Sequence, residues 1–183
     1  VQMSSRSGQF VTLRDLRKEV GNDAARFYYV MRKSEQHIDF DLDLAVSQSK
    51  DNAVYYIQYA HARVNRMVDV RAPEKNIAFD RTQLAHYDVS ILVSNTETEL
   101  LAKLAAYPEI VARAANSYEP HQIGNYLKEL AALFHGWYAQ DDVKILDEQN
   151  IALSQARLVL SLNVQQVLKN GLTLLGVSAP ESM

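Results

Sequence analysis

The chain has no cysteine, and its 183 residues hold only six glycines and four prolines. Without cysteine there is no disulfide framework and no thiolate metal site, which fits a reducing compartment. No apolar run reaches the roughly 18 residues that a spanning helix needs, so no membrane partner is expected. The first residues lack a basic stretch followed by an apolar one, the mark of an export signal. The chain opens on Val1 and is patterned from the start, the expectation for a fragment of a longer protein. A net charge of −3 gives no broad basic field for nucleic acid, so any RNA contact must rest on local basic spots and stacking. Glycine-rich phosphate loops and a Gly-x-Ser-x-Gly elbow are missing. His37, His61, His86, His121 and His135 share no metal-ligand spacing. Asp39, Asp41 and Asp43 do not open a calcium loop, because Leu44 and Lys50 occupy the positions that need Gly and Glu. The chain carries no self-contained catalytic constellation, and no metal is expected in it.

What is present is helical. Hydrophobic residues make up 48% and charged residues 22%, enough for one core, or one core with a small flanking module. Residues 1–72 hold 11 Lys/Arg against 9 Asp/Glu, and residues 73–183 hold 8 against 13. Residues 1–11 read as a polar loop. Thr12 and Asp15 form a capping pattern for a helix with Leu13, Leu16 and Val20 inward, stopped at Gly21. Asp23 can cap a second helix through Arg32. Ile38–Leu44 alternates apolar and acidic residues, the period of a half-buried strand. Asp51 or Asn52 can cap the next helix. A break around Pro73 is followed by helices near Leu84–Leu92, at Leu100–Ala106 behind a Thr96/Glu99 capping box, at Pro108–Ala115, and from Pro120 to Trp137. Ile151–Lys169 is the last long helix, closed by Asn170-Gly171. The fold class is mainly α: an antiparallel helical bundle (51–183) preceded by a small mixed α/β connecting module (1–50).

The stretch Asn52–Arg66 carries two patterns. Val54, Ile57, Ala60/His61 and Val64 mark one buried helical face. Tyr55, Tyr59, Arg63 and Arg66 mark a second stripe at i, i+4, i+8 and i+11. Rings beside guanidinium groups suit unpaired bases and phosphates. On pattern alone the stripe also reads as core tyrosines with solvated arginines. His61, on the apolar side, reads as a satisfied core histidine.

Tyr55-Tyr56-Ile57-Gln58-Tyr59-Ala60-His61-Ala62-Arg63 resembles the signature that opens the C-terminal domain of arginyl-tRNA synthetases. The resemblance runs the length of the chain. Met3-Ser4-Ser5-Arg6-Ser7-Gly8 looks like the degenerate Lys-Met-Ser-Lys-Ser loop of class I synthetases in its Arg-x-Gly form, with Gln2 and Ser5 in place of the two lysines. Gly21–Phe27, Phe40–Ala45, Leu101–Pro108, Glu119–His135, Gly171–Val177 and Ala179–Met183 also match the family in order. Ala156-Arg157-Leu158-Val159-Leu160 is similar to the motif named for Asp-Ala-Leu-Arg, with Arg and Leu swapped. Ala53 stands where the family has proline, a change expected to leave the fold intact.

The resemblance implies a parent enzyme that joins arginine to tRNA(Arg) with ATP and Mg, cytoplasmic and monomeric. Residues 1–50 would hold the end of its catalytic domain and a connecting module, and residues 51–183 its helical anticodon-binding domain. Met3, Ser4, Ser5 and Arg6 would belong to the catalytic loop that steadies ATP phosphates. The fragment alone would be inactive, with no cofactor of its own, and its partners would be the tRNA(Arg) anticodon stem-loop and the parent's own N-terminal catalytic domain. Tyr55, Tyr59, Arg63 and Arg66 would touch tRNA, joined by Met183 from the tail that closes over the anticodon loop in the family. A helical protein–protein interaction module without RNA binding is the alternative, supported by the acidic balance of residues 73–183.

Overall fold

The computed structural model describes residues 12–33, 35, 36, 40–140 and 144–183. The helices are α1 (Leu13–Val20), α2 (Asn22–Val30), α3 (Leu42–Val46), α4 (Ala53–Arg66), α5 (Ala72–Glu74), α6 (Asn95–Ala105), α7 (Tyr107–Ser117), α8 (His121–Tyr138) and α9 (Ile151–Leu174). A π-helical segment, Met67–Arg71, joins α4 to α5. Helices α4, α8 and α9 pack on one another and form the centre. Helix α6 lies on α8 and α9, α7 on α8, and α2 on α4 and α8. No strand occurs among the described residues.

Burial explains this arrangement. Val54, Ile57, Ala60 and Val64 bury one face of α4, as their spacing predicts. Ile123, Leu127, Leu130, Phe134 and Trp137 do the same for α8. Helix α9 differs: every residue from Ala156 to Ser161 is buried, so this stretch is enclosed on all sides. A helix in that position must satisfy its own polar groups. Ser161 Oγ donates to the Arg157 carbonyl at 2.8 Å, and Arg157 Nε donates to Glu97 Oε1 at 2.7 Å.

Several sequence expectations change at the level of single elements. Thr12 caps α1 and Asn52 caps α4 as read, and Ala53 opens α4 without proline. Leu13 points outward, 55% exposed, while Leu16 is buried. Residues 38 and 39 of the expected strand lie outside the described residues. Leu42–Leu44 is helical, because Asp41 accepts from the Leu44 N–H at 3.0 Å and starts α3. Near residue 84 only a single 3₁₀ turn, Leu84–His86, forms. The capping box of α6 is Ser94 with Glu97, two residues before the pair expected. The last helix runs past Asn170-Gly171 to Leu174, and the chain turns at Gly176, whose φ of 68° suits glycine. Gly171 lies inside α9 at a close approach: a Cβ there would come within 2.5 Å of Leu127 Cδ2.

Candidate nucleic-acid interface

Helix α4 supplies one wall of a cleft of about 600 Å³. Tyr59, Arg63 and Arg66 line it from α4, and Tyr138 from the end of α8. Asp69, Val70 and Arg71 line it from the π-helical segment, and Glu181, Ser182 and Met183 from the C-terminal tail. A π insertion widens the helical turn and re-aims side chains, a device common at functional sites. Here it leaves Val70 43% exposed beside the basic residues.

The tail reaches the cleft because a polar stripe on α4 holds it. Gln58 Nε2 donates to the Ser178 carbonyl at 3.0 Å and to Asp23 Oδ2 at 2.9 Å. The ring nitrogen Nδ1 of His61 lies 2.8 Å from the Pro180 carbonyl and must donate to it. Asn65 Nδ2 donates to the Glu181 carbonyl at 3.3 Å. Burial pushes the His61 pKa below its ordinary value, the bond to Pro180 opposing it. His61 is therefore buried and satisfied, as the sequence suggests, and it also anchors the tail.

Arg63 lines the cleft from α4. Its guanidinium carbon lies 4.5 Å from the Tyr59 ring centre and 4.5 Å from that of Tyr138. Nη2 donates to the Tyr59 hydroxyl at 3.0 Å, and Nη1 faces His135 Nδ1 at 3.0 Å. Tyr59 is 37% exposed and its ring lies nearly parallel to that of Tyr55, with centroids 6.0 Å apart. Arg66 is exposed and makes no ion pair among the described residues. By contrast, Arg71 pairs with Glu74 at 3.0 Å and Asp69 with Arg81 at 3.3 Å. Among the described residues the cleft thus offers two cations outside any ion pair, aromatic rings and an exposed methionine at 54%, beside the Glu181 carboxylate. Among the described residues, no group of three His, Asp or Glu side chains could hold a metal ion.

Of the residues expected from sequence, Tyr59, Arg63, Arg66 and Met183 meet in this one cleft. Tyr55 stands one turn back, outside the lining and stacked on Tyr59. Met3, Ser4, Ser5 and Arg6 lie outside the described residues. No sequence pattern marks Tyr138 and His135 on α8 as part of the cleft, or Gln58 and Asn65 as anchors of the tail. The one available signal was three polar residues on α4 at i, i+3 and i+7. Arg157, within the motif matched by resemblance, is buried at 9% exposure and pairs with Glu97. Burial pushes the Glu97 carboxyl up, but the bonds from Arg157 and Ser94 outweigh it and hold the pKa below the usual range.

Known proteins agree with the resemblance. The arginine–tRNA ligase of Acinetobacter baylyi is 73% identical over all of this chain, which covers 30% of that relative. That of Psychrobacter cryohalolentis is 58% identical, again over the whole chain and 31% of the relative. The chain therefore spans about 30% of the length of the curated relatives it matches. Among solved structures, one assigned as an arginyl-tRNA synthetase of Campylobacter jejuni superposes with a TM-score of 0.82 at 26% identity, over 100% of this chain and 37% of that one. The arginyl-tRNA synthetase of Thermus thermophilus gives 0.68 at 27% identity, over 98% and 29%. Among the described residues no helix is long and apolar enough to cross a membrane. A family model described as the DALR anticodon binding domain matches residues 57–183, and the chain belongs to that family.

Proposed function

We propose that this chain is the anticodon-binding part of an arginine–tRNA ligase. The parent enzyme joins arginine to tRNA(Arg) using ATP with Mg, as a cytoplasmic monomer. Residues 1–50 carry the end of its catalytic domain and a connecting module, with Met3, Ser4, Ser5 and Arg6 in the loop that steadies ATP phosphates. Residues 51–183 carry the RNA-reading domain, which docks against the parent's N-terminal catalytic domain. The observation that supports this reading best is the gathering of Tyr59, Arg63, Arg66 and Met183 around one cleft. Tyr59, in a column between Tyr55 and Arg63, keeps 37% of its surface exposed, and an unstacked loop base can pack against that exposed part. Arg63 and Arg66 meet phosphates or base edges, and Met183 closes the cleft from the tail.

The test is a filter-binding titration of this chain with tRNA(Arg) transcript and an anticodon-scrambled control at two salt concentrations. Two phosphate contacts give a slope of log affinity on log salt of about −1.4. Selective binding with such a slope is expected. Binding that ignores both anticodon and salt would favour a protein-interaction bundle. The chain alone should show no arginine-dependent ATP–pyrophosphate exchange, and exchange would refute its assignment as the RNA-reading part.

A further inference from the structure

His135 belongs to α8 and lies off the Tyr/Arg stripe of α4. It is 9% exposed. Its Nε2 is 3.2 Å from the Tyr56 carbonyl oxygen, and its Nδ1 is 3.0 Å from Arg63 Nη1. A carbonyl can only accept, so Nε2 carries the proton. A guanidinium can only donate, so Nδ1 is the bare acceptor. The two contacts together fix one neutral tautomer. Burial, opposed by the Tyr56 bond and helped by the Arg63 charge, brings the His135 pKa down to about 4, so the ring is neutral at pH 7. The imidazole also lies against the Tyr56 ring at 4.5 Å and the Tyr59 ring at 5.7 Å. Arg63 is thereby held at both ends of its fork, by His135 and by the Tyr59 hydroxyl, with the Tyr59 and Tyr138 rings each 4.5 Å from its central carbon.

We propose, resting on the anticodon reading above, that His135 is a positioning residue for RNA binding: it holds Arg63 between Tyr59 and Tyr138, so that the remaining guanidinium N–H groups face the cleft before RNA arrives. A long cation fixed beforehand loses little freedom on binding, whereas a free one must be ordered. That difference is worth roughly 2- to 10-fold in affinity.

The test uses the full chain and tRNA(Arg) transcript. His135→Leu removes the acceptor and should weaken binding by roughly 2- to 10-fold. In an Arg63→Ala background the same change should cost nothing further. His135→Asn, whose Oδ1 can replace the Nδ1 acceptor, should recover most of the loss. His135→Gln keeps the Tyr56 bond but not that acceptor, and should stay weak. Equal losses from His135→Leu in both backgrounds, or equal affinities of the Asn and Gln variants, would overturn the proposal. The Asn and Gln pair carries the test if the Leu variant fails to fold. A nitrogen-15 spectrum of the RNA-free chain reads the hold on Arg63 directly. Slowed Arg63 Nη rotation should be seen in the wild type and lost in His135→Gln. Fast rotation in the wild type overturns the positioning role, even if tRNA binding is selective. Slow rotation with no selective tRNA binding would instead sink the anticodon reading on which the proposal rests.

Discussion

Arg157→Met should destabilise the chain by about 3–5 kcal/mol, the usual cost of removing one member of a buried ion pair. Arg157 is 9% exposed and Glu97 1%. The pair meets at 2.7 Å, and Arg157 Nη1 also donates to the Lys144 carbonyl at 2.8 Å. Methionine preserves much of the packed stem but leaves the carboxylate with only Ser94, whose N–H reaches Glu97 Oε2 at 3.0 Å. For a chain of this size each kcal/mol shifts the melting temperature by roughly 2–4 °C, so a fall of about 6–20 °C is expected at pH 7. A second signature follows from charge. In the native chain the pairing holds the Glu97 pKa below its ordinary value, so this group's contribution is fully present above the unfolded carboxylate range. In the variant burial prevails, the folded pKa rises above the unfolded one, and protonation relieves the cost. The gap between variant and native chain should therefore narrow as pH falls from 7 to 5. The double variant Glu97→Gln/Arg157→Met should be more stable than Arg157→Met alone, because no charge is left stranded. Thermal melts by circular dichroism at the two pH values decide the matter. A fall under about 3 °C at pH 7, or a gap that stays constant with pH, would show that Glu97 is not left as a stranded buried charge.

Three further outcomes follow. His135 and His61 have pKa values lowered chiefly by burial, His135 to about 4. Their stabilisation is complete above the unfolded histidine value near 6.5 and is lost as pH falls toward 4, about 1–3 kcal/mol for His135, read as a lower urea midpoint at pH 4.5 than at 7.5. A midpoint that does not change would contradict the burial of both rings. Gly171→Ala should lower the urea midpoint, since overpacking against fully buried Leu127 costs about 1–3 kcal/mol and outweighs roughly 1 kcal/mol of helix propensity; a higher midpoint would show that α8 and α9 can part freely. Tyr59→Ala should leave the circular dichroism spectrum unchanged and weaken tRNA(Arg) binding by roughly 5- to 150-fold, and unchanged affinity would rule out stacking on this ring.

Helices α4 and α8 were legible because their buried residues repeat at three and four and their neighbours are polar. The caps at Thr12 and Asn52 were legible because their signal is local. At α6 the local signal was ambiguous: Ser94-x-x-Glu97 and Thr96-x-x-Glu99 both satisfy the capping pattern. A contact sixty residues away favours Ser94, since Glu97 must also reach Arg157. Alternating acids suggested a strand over residues 38–44, but period alone cannot see that Asp41 is a helix cap. Asn170-Gly171 looked like a stop, although Gly171 answers instead to the approach of Leu127. The cleft was half legible for the same reason. Its α4 wall repeats along one helix. His135 and Tyr138 arrive from α8, 72 and 75 positions beyond Arg63, with no shared pattern to tie them to it.

On the proposed reading the anticodon loop sits between α4, the end of α8 and the tail. Ultraviolet cross-linking of this chain to a tRNA(Arg) anticodon stem-loop, with the joined peptides identified by mass spectrometry, tests it most directly. Cross-links should fall within residues 55–66, 135–138 and 178–183, centred on Tyr59 and Met183, and should vanish with a scrambled loop. Cross-links confined to α6 and α7, or equally strong with the scrambled loop, would contradict the account.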